Sequence, residues 1–246
     1  MEKVICALWR NPDETAEAFN NRLLSSLCGE LEEAGATLIR MNLRDANVAP
    51  AQGLVQQWQA PQQDAVVQFW LSSANPRFRT ACDAALARHS SRFAAWLVSE
   101  STIIPNTDHP PSDDARTAGW SQASFITFRD EVTRASTLAH WHDHHTRVAI
   151  ETQSNFEYIQ NLIVMPLTEG APQYDAFVEE CFPLDAMTNP AVFFDAVEDH
   201  AKFGANVAAM TDSCNAFIDF ARIDVLPTSQ FDFIQTGDHS RTVGRL

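Results

Sequence analysis

Apolar and polar positions along the chain fall into two rounds of the same pattern. Val4 to Trp9 is a short apolar run, read as a strand. Asp13 and Thr15 are plausible caps for the helix that follows, in which Ala16, Phe19, Leu23, Leu27 and Leu31 recur at helical spacing as far as Gly35. Thr37 to Leu43 alternates as a second strand, and the polar, glutamine-rich stretch from Gln52 to Gln63 reads as a loop. Ala65 to Leu71 gives a third strand. Phe78, Cys82, Ala85 and Leu86 mark a second helix, and Ala94 to Ile104 a fourth strand. The resulting order, βαββαβ, is the split βαβ or ferredoxin-like arrangement.

Asn106 to Gly119 breaks the pattern with Pro110-Pro111 and Gly119 and reads as a linker. The order then returns: a strand over Gln122 to Phe128, a histidine-rich helix from Thr133 to Glu151, strands over Phe156 to Met165 and Asp175 to Phe182, helical material over Ala191 to Met210, and a strand over Phe217 to Leu226. Pro105 and Pro227 each follow the last strand of their half. The first turns of the halves align without a gap: Trp9-Arg10 meets Phe128-Arg129, Phe19 meets Leu138, and Ser26 meets His145. A period this long indicates a duplicated domain rather than a solenoid. The expected organisation is α+β: residues 1–105 as a first, degenerate ferredoxin-like repeat, 106–119 as linker, 120–230 as a second repeat, and 231–246 as a polar, mobile tail.

On an ideal helix, Leu138, Trp141, His145, Val148 and Ala149 share a stripe about 100° wide. His142 borders it, and His140 and His144 fall on the far side with Arg147. A histidine amid an apolar stripe needs a partner. It is either a core residue bonded to a backbone carbonyl or a cleft residue that titrates near neutrality and moves protons. The i, i+4 pair His140 and His144 has the spacing of a metal grip, but its far-side placement and the lack of a third ligand favour a solvated face, so no metal is expected.

The chain has 246 residues, 45% hydrophobic, with 32 acidic and 17 basic side chains and a formal net charge of −15. That balance argues against nucleic-acid binding, which needs clustered lysine and arginine. No apolar run reaches a membrane span, and the N-terminus does not read as a signal peptide. The five cysteines are odd in number and lack a C-x-x-C pair, which fits reduced thiols. A cytoplasmic protein that does not engage membranes is the expectation. No G-x-G-x-x-G, Walker A or G-x-S-x-G motif is present, so nucleotide and serine-hydrolase readings lack support and no cofactor is expected.

Arg129, Leu138-x-x-Trp141-x-x-x-His145 and Tyr158-Ile159-Gln160-Asn161 together resemble the EthD-like family of the dimeric α+β barrel superfamily. Asp175 and Glu179 resemble its acidic third strand, and Phe217-Ile218-Asp219 the entry to its fourth. The resemblance covers residues 120 to 230 well and residues 3 to 105 only in outline, with Leu138 standing where the family more usually has Phe. It implies two four-stranded antiparallel sheets packed as a barrel, here supplied by one chain, with a homodimer left open, and a pocket between helices and sheet. Superfamily relatives include polyketide cyclases, muconolactone isomerases and small monooxygenases, so the fold alone does not give the reaction.

On the strand, Tyr158 alternates with Phe156, Gln160 and Leu162. A histidine, a tyrosine and an amide around an apolar cleft suit enolisation or aldol chemistry: His145 would take a proton from carbon and Tyr158 would donate to the enolate oxygen. Trp141, His142, Gln160, Leu138 and Phe156 would line the substrate. The alternatives for Tyr158 and for Gln160 with Asn161 are structural hydrogen bonding. The expected function is a cofactor-free lyase or isomerase acting on a small apolar carbonyl, polyketide-like or aromatic compound. The rival is a non-catalytic protein that binds such a compound for a partner enzyme.

Overall fold

A computed structural model describes residues 1–233. The strands are β1 (Glu2–Trp9), β2 (Thr37–Leu43), β3 (Ala65–Leu71), β4 (Arg92–Ile104), β5 (Trp120–Ile126), β6 (Glu157–Pro166), β7 (Ala176–Phe182) and β8 (Asp224–Asp232). The helices are α1 (16–33), α2 (Pro76–His89), α3 (134–152), α4 (Pro190–Phe193) and α5 (His200–Asn215). The strands close a single antiparallel barrel in the order β1-β3-β2-β8-β5-β7-β6-β4. Each half thus contributes four consecutive staves, β4-β1-β3-β2 and β8-β5-β7-β6. The halves meet at two seams, Arg40–Leu43 against Ser229–Asp232, and Trp96–Ile104 against Tyr158–Pro166.

Strand alternation explains why β1 reads as an unbroken apolar run: both faces are buried. Val4, Cys6 and Leu8 pack with Phe19, Leu23 and Leu27 of α1, while Ile5, Ala7 and Trp9 meet Trp96, Phe125 and Phe177 inside the barrel. The other end of the interior is polar. Arg40 donates to Glu157, Glu179 and Asp232 at 3.0, 3.2 and 2.6 Å, and Asn42, Gln68 and Gln230 also donate to Glu179. Burying a guanidinium among carboxylates is tolerable only because each charge is met by hydrogen bonds.

The first long helix of each half carries a π turn in a comparable place, Leu23–Leu27 in α1 and His140–His145 in α3. Thr15 and Thr133 cap the two helices by accepting the N–H groups of Ala18 and Ser136.

Several expectations need correction. The last strand is not Phe217 to Leu226 but Asp224–Asp232. Phe217 and Ile218 are apolar because they pack on Phe128 and Trp141 beneath α3; Ile218 makes an isolated bridge to Phe128 but belongs to no strand. Pro227 lies inside β8, at a point where β8 pairs with β5 but has not yet met β2 at Ser229; a one-sided position tolerates proline. Phe231 and Asp232 therefore belong to the barrel, while the expected tail over 234–246 lies outside the described residues. The helical stretch after β7 is interrupted, with Asp195 and Glu198 in positive-φ conformations between α4 and α5. The linker is pinned to β8, since Arg116 donates to Ser229 and the Thr117 hydroxyl to Gln230.

Candidate functional site

A cavity of about 540 Å³ opens between the outer face of β5, β6, β7 and β8 and the helices α3 and α5. Its wall is mostly apolar: Ile126, Val178, Ile223 and Val225 from the sheet side, Trp141 from α3, Met210 from α5, and Phe193, Phe194 and Phe217 from the connections. The polar groups on it include Gln56, Gln122, His145, Gln153, Tyr158 and Glu180, and none is a lysine or arginine. This is the composition of a site for a largely apolar, uncharged small molecule.

Tyr158 and Glu180 are direct cross-strand partners on β6 and β7, and Gln122 of β5 is the partner of Glu180 on its other side. The three side chains form one row across the cavity floor, neighbours about 5 Å apart at Cβ. Glu180 accepts from Asn155 Nδ2 at 2.9 Å and from Gln122 Nε2 at 3.4 Å. Burial without a cationic partner pushes its carboxyl up to about 7, against those two hydrogen bonds. The Tyr158 hydroxyl accepts from Gln160 Nε2 at 2.7 Å, and its own proton has no acceptor among the described residues. Burial and then the neighbouring Glu180 drive this phenol well above its ordinary range, so it stays protonated.

His145 lines the same cavity, 8% exposed, edge-on to Phe217, with Nδ1 at 3.0 Å from the Ser213 hydroxyl of α5. Burial, with His140 and His144 adding in the same sense, pushes its imidazole down to about 4. It is therefore neutral near pH 7. The expectation of an imidazole titrating between pH 5 and 8 does not hold, because α3 and Phe217 remove the water that would stabilise its cation.

The π turn accounts for a second departure. On an ideal α-helix His140 points away from the stripe, yet His140 Nε2 lies 3.0 Å from the Ser213 carbonyl, close to the group that meets His145. The wider turn brings residues i and i+5 to one face, so His140 is half-buried against α5 rather than solvated. His144 is exposed. Among the described residues the one set of three potential metal ligands within 4.8 Å is Glu157, Glu179 and Cys181 inside the barrel, and Arg40 already bonds to both carboxylates.

The other sequence candidates sit off the cavity wall. Gln160 lies behind Tyr158 and also donates to Thr146 at 2.8 Å, so it positions the phenol rather than meeting a ligand. His142 is exposed and stacks on Trp141 at 5.2 Å. Leu138 is half-buried in the cluster around Phe128 and Phe217. Phe156 precedes β6 and stacks on His109 at 3.9 Å, a residue of the linker. Sequence reasoning missed Glu180, Gln122 and Ser213. A signal for the first was present: adjacent glutamates on a strand must face opposite sides. Glu179 goes to the barrel interior and Glu180 to the cavity.

A closed eight-stranded barrel with helices outside and an apolar cleft under the second pair defines an α+β barrel protein. Residues 129–221, within the second half of the chain, match the EthD domain family. No curated protein matches the chain. Among solved structures, an anthrone oxidase-like protein is similar at 7% identity and TM-score 0.50, covering 94% of this chain and 92% of its own. A candidate chlorite dismutase is similar at 11% identity and TM-score 0.49, over 93% of both chains. A candidate monooxygenase from Lactobacillus acidophilus NCFM is similar at 10% identity and TM-score 0.47, again over 93% of both. At such identities these likenesses concern the fold alone.

Proposed function

We propose that the second-half cleft catalyses proton transfer at carbon on a small, uncharged, largely apolar carbonyl compound, as a lyase or isomerase of the enolising kind. The observation that carries this reading is the row of Gln122, Glu180 and Tyr158: a carboxyl poised near neutrality beside a phenol that keeps its proton. General bases work best when their pKa lies near the working pH. In this scheme the Glu180 carboxylate takes the proton α to the carbonyl, and the Tyr158 O–H donates to the developing enolate oxygen. Glu180 then returns its proton to another carbon, giving an isomer, or to a departing hydroxyl, giving water. His145, neutral, serves as a hydrogen-bonding group held by Ser213, and Trp141 as an aromatic wall. The absence of lysine and arginine from the wall supports an uncharged ligand.

We also read the two halves as ferredoxin-like units related by duplication. The repeated strand order and the paired π turns support this. Among the described residues, the acid–base row of Gln122, Glu180 and Tyr158 belongs to the second unit.

The test is solvent-deuterium incorporation into a panel of apolar 1,3-diketones and aromatic polyketide-like ketones, followed by mass spectrometry. The rate is expected to rise as pH passes about 7. Glu180→Gln should lower it by about 10²–10⁴-fold, and Tyr158→Phe by about 10²–10³-fold. Saturable binding with no exchange for any compound would identify a carrier instead.

A further inference from the structure

We propose that the first half carries a separate binding site for a small organic oxyanion, a phosphate monoester or dicarboxylate, at the barrel rim formed by the ends of β1 and β2 and the starts of β3 and β4. The register places the residues. Arg92 pairs with Trp9 at the β4–β1 junction, and Arg10 follows Trp9 directly. Leu8 pairs with Ala65, and Ala65 with Leu43, after which comes Arg44. Arg92 and Arg10 thus stand on adjacent strands about 5 Å apart, and Arg44 stands at the same rim two strands from Arg10, with β3 between them. They line one cavity of about 640 Å³ together with Gln62 and Asp64, a size that suits a small ligand.

The charges there are not balanced by the protein. Arg10 is held by Asp64, through its backbone N–H at 3.0 Å and its Nε at 3.1 Å. Arg44 donates to Gln62 Oε1 at 3.3 Å, and Gln62 is itself fixed by donating to the Gln56 carbonyl at 2.7 Å. Arg92 lies over the Trp9 ring at 4.1 Å. In a chain with 32 acidic side chains against 17 basic ones, an arginine readily finds a carboxylate. Among the described residues, the lysines and arginines form ion pairs with carboxylates except Arg44, Arg77, Arg92 and Arg116. Two of those four line this one cavity. Arg116 is occupied by Ser229 and the Gly119 carbonyl, and Arg77 is exposed on α2. Gathering like charges at a rim opposes folding unless an anion joins them, and guanidinium forks match the planar or tetrahedral oxygens of carboxylate and phosphate. The contrast with the second half, whose cleft has an acid and no cation, makes this a distinct site rather than a degenerate copy.

Isothermal titration of the full chain with inorganic phosphate and, separately, malonate in low-salt buffer tests the proposal and distinguishes the two oxyanion chemistries. Saturable binding of at least one probe is expected with Kd of about 1 mM or tighter. Arg44→Gln and Arg92→Gln should each weaken it by about tenfold or more, the worth of one charged hydrogen bond. Arg77→Gln, which removes the same charge from α2, should leave it within about twofold. Absence of saturable binding for both probes, or an Arg77→Gln effect as large as that of Arg44→Gln, would overturn the proposal. Equal thermal melting of the three variants without anion keeps loss of binding separate from loss of fold.

Discussion

Glu180 and His145 face one cleft with opposite responses to burial. The carboxyl is pushed up to about 7 and the imidazole down to about 4, so both are neutral between those limits. Linkage turns this into a stability signature. Because the folded value of Glu180 is raised, its contribution to stability is present below the unfolded carboxyl range near 4 and is lost as pH rises through about 7. Because the folded value of His145 is depressed, the fold loses stability as pH falls from the unfolded imidazole range near 6.5 toward about 4. The two slopes oppose each other over much of that interval. Glu180→Gln removes the first alone. Its melting temperature relative to wild type is expected to climb between pH 5 and 8, as followed by calorimetry, and a flat difference would show that Glu180 is not desolvated. Conversely, His145→Ala should leave the pH–rate profile of exchange centred near 7, which a base role for His145 would not.

At the scale of elements, the π turn of α3 sets which histidines meet α5. Its extra residue brings His140 and His145 to Ser213 together. Deleting the exposed Asp143 should restore an α-helical repeat and rotate one side of the helix by about 100°. Far-UV circular dichroism should then retain the helix signal while deuterium exchange is lost, because Trp141 and His145 can no longer both face the cavity. Retained exchange would mean that α3 contributes only a lid. β7 shows the complementary case: one strand with two consecutive glutamates supplies an interior ion-pair ligand and a cleft acid, through the alternation of side chains alone.

For the whole molecule, closure of the barrel makes the halves interdependent. Arg40 from the first half meets Glu157, Glu179 and Asp232 from the second. Glu179 is held down at about 2, its burial overcome by Arg40 and by Asn42, Gln230 and Gln68. Arg40→Met should cost about 3–5 kcal/mol in denaturant unfolding at pH 7, since it leaves buried carboxylates without their cation. The loss should shrink as pH falls through the carboxylate range. An effect below about 1 kcal/mol would indicate that water, not Arg40, compensates them.

The amphipathic repeats, the Thr15 cap and the order of strands and helices come from local chemistry and are legible in the sequence, which also singles out Trp141, His145 and Tyr158, three residues that line one cavity. Hydrophobic periodicity reports burial, not the partner that buries. Hence the apolar Phe217 and Ile218 read as strand when they close a cleft, and Phe231 and Asp232 read as tail when they help to form a barrel seam. The neutrality of His145, the elevation of Glu180 and the company Arg40 keeps depend on desolvation and on charges more than 100 residues away in sequence. The arginine rim likewise exists only because antiparallel register brings the ends of β1 and β2 beside the starts of β3 and β4. Spacing along the chain encodes which face a residue occupies. What lies opposite that face is decided by strand order, barrel closure and one extra residue in a helical turn, and these exist only in three dimensions.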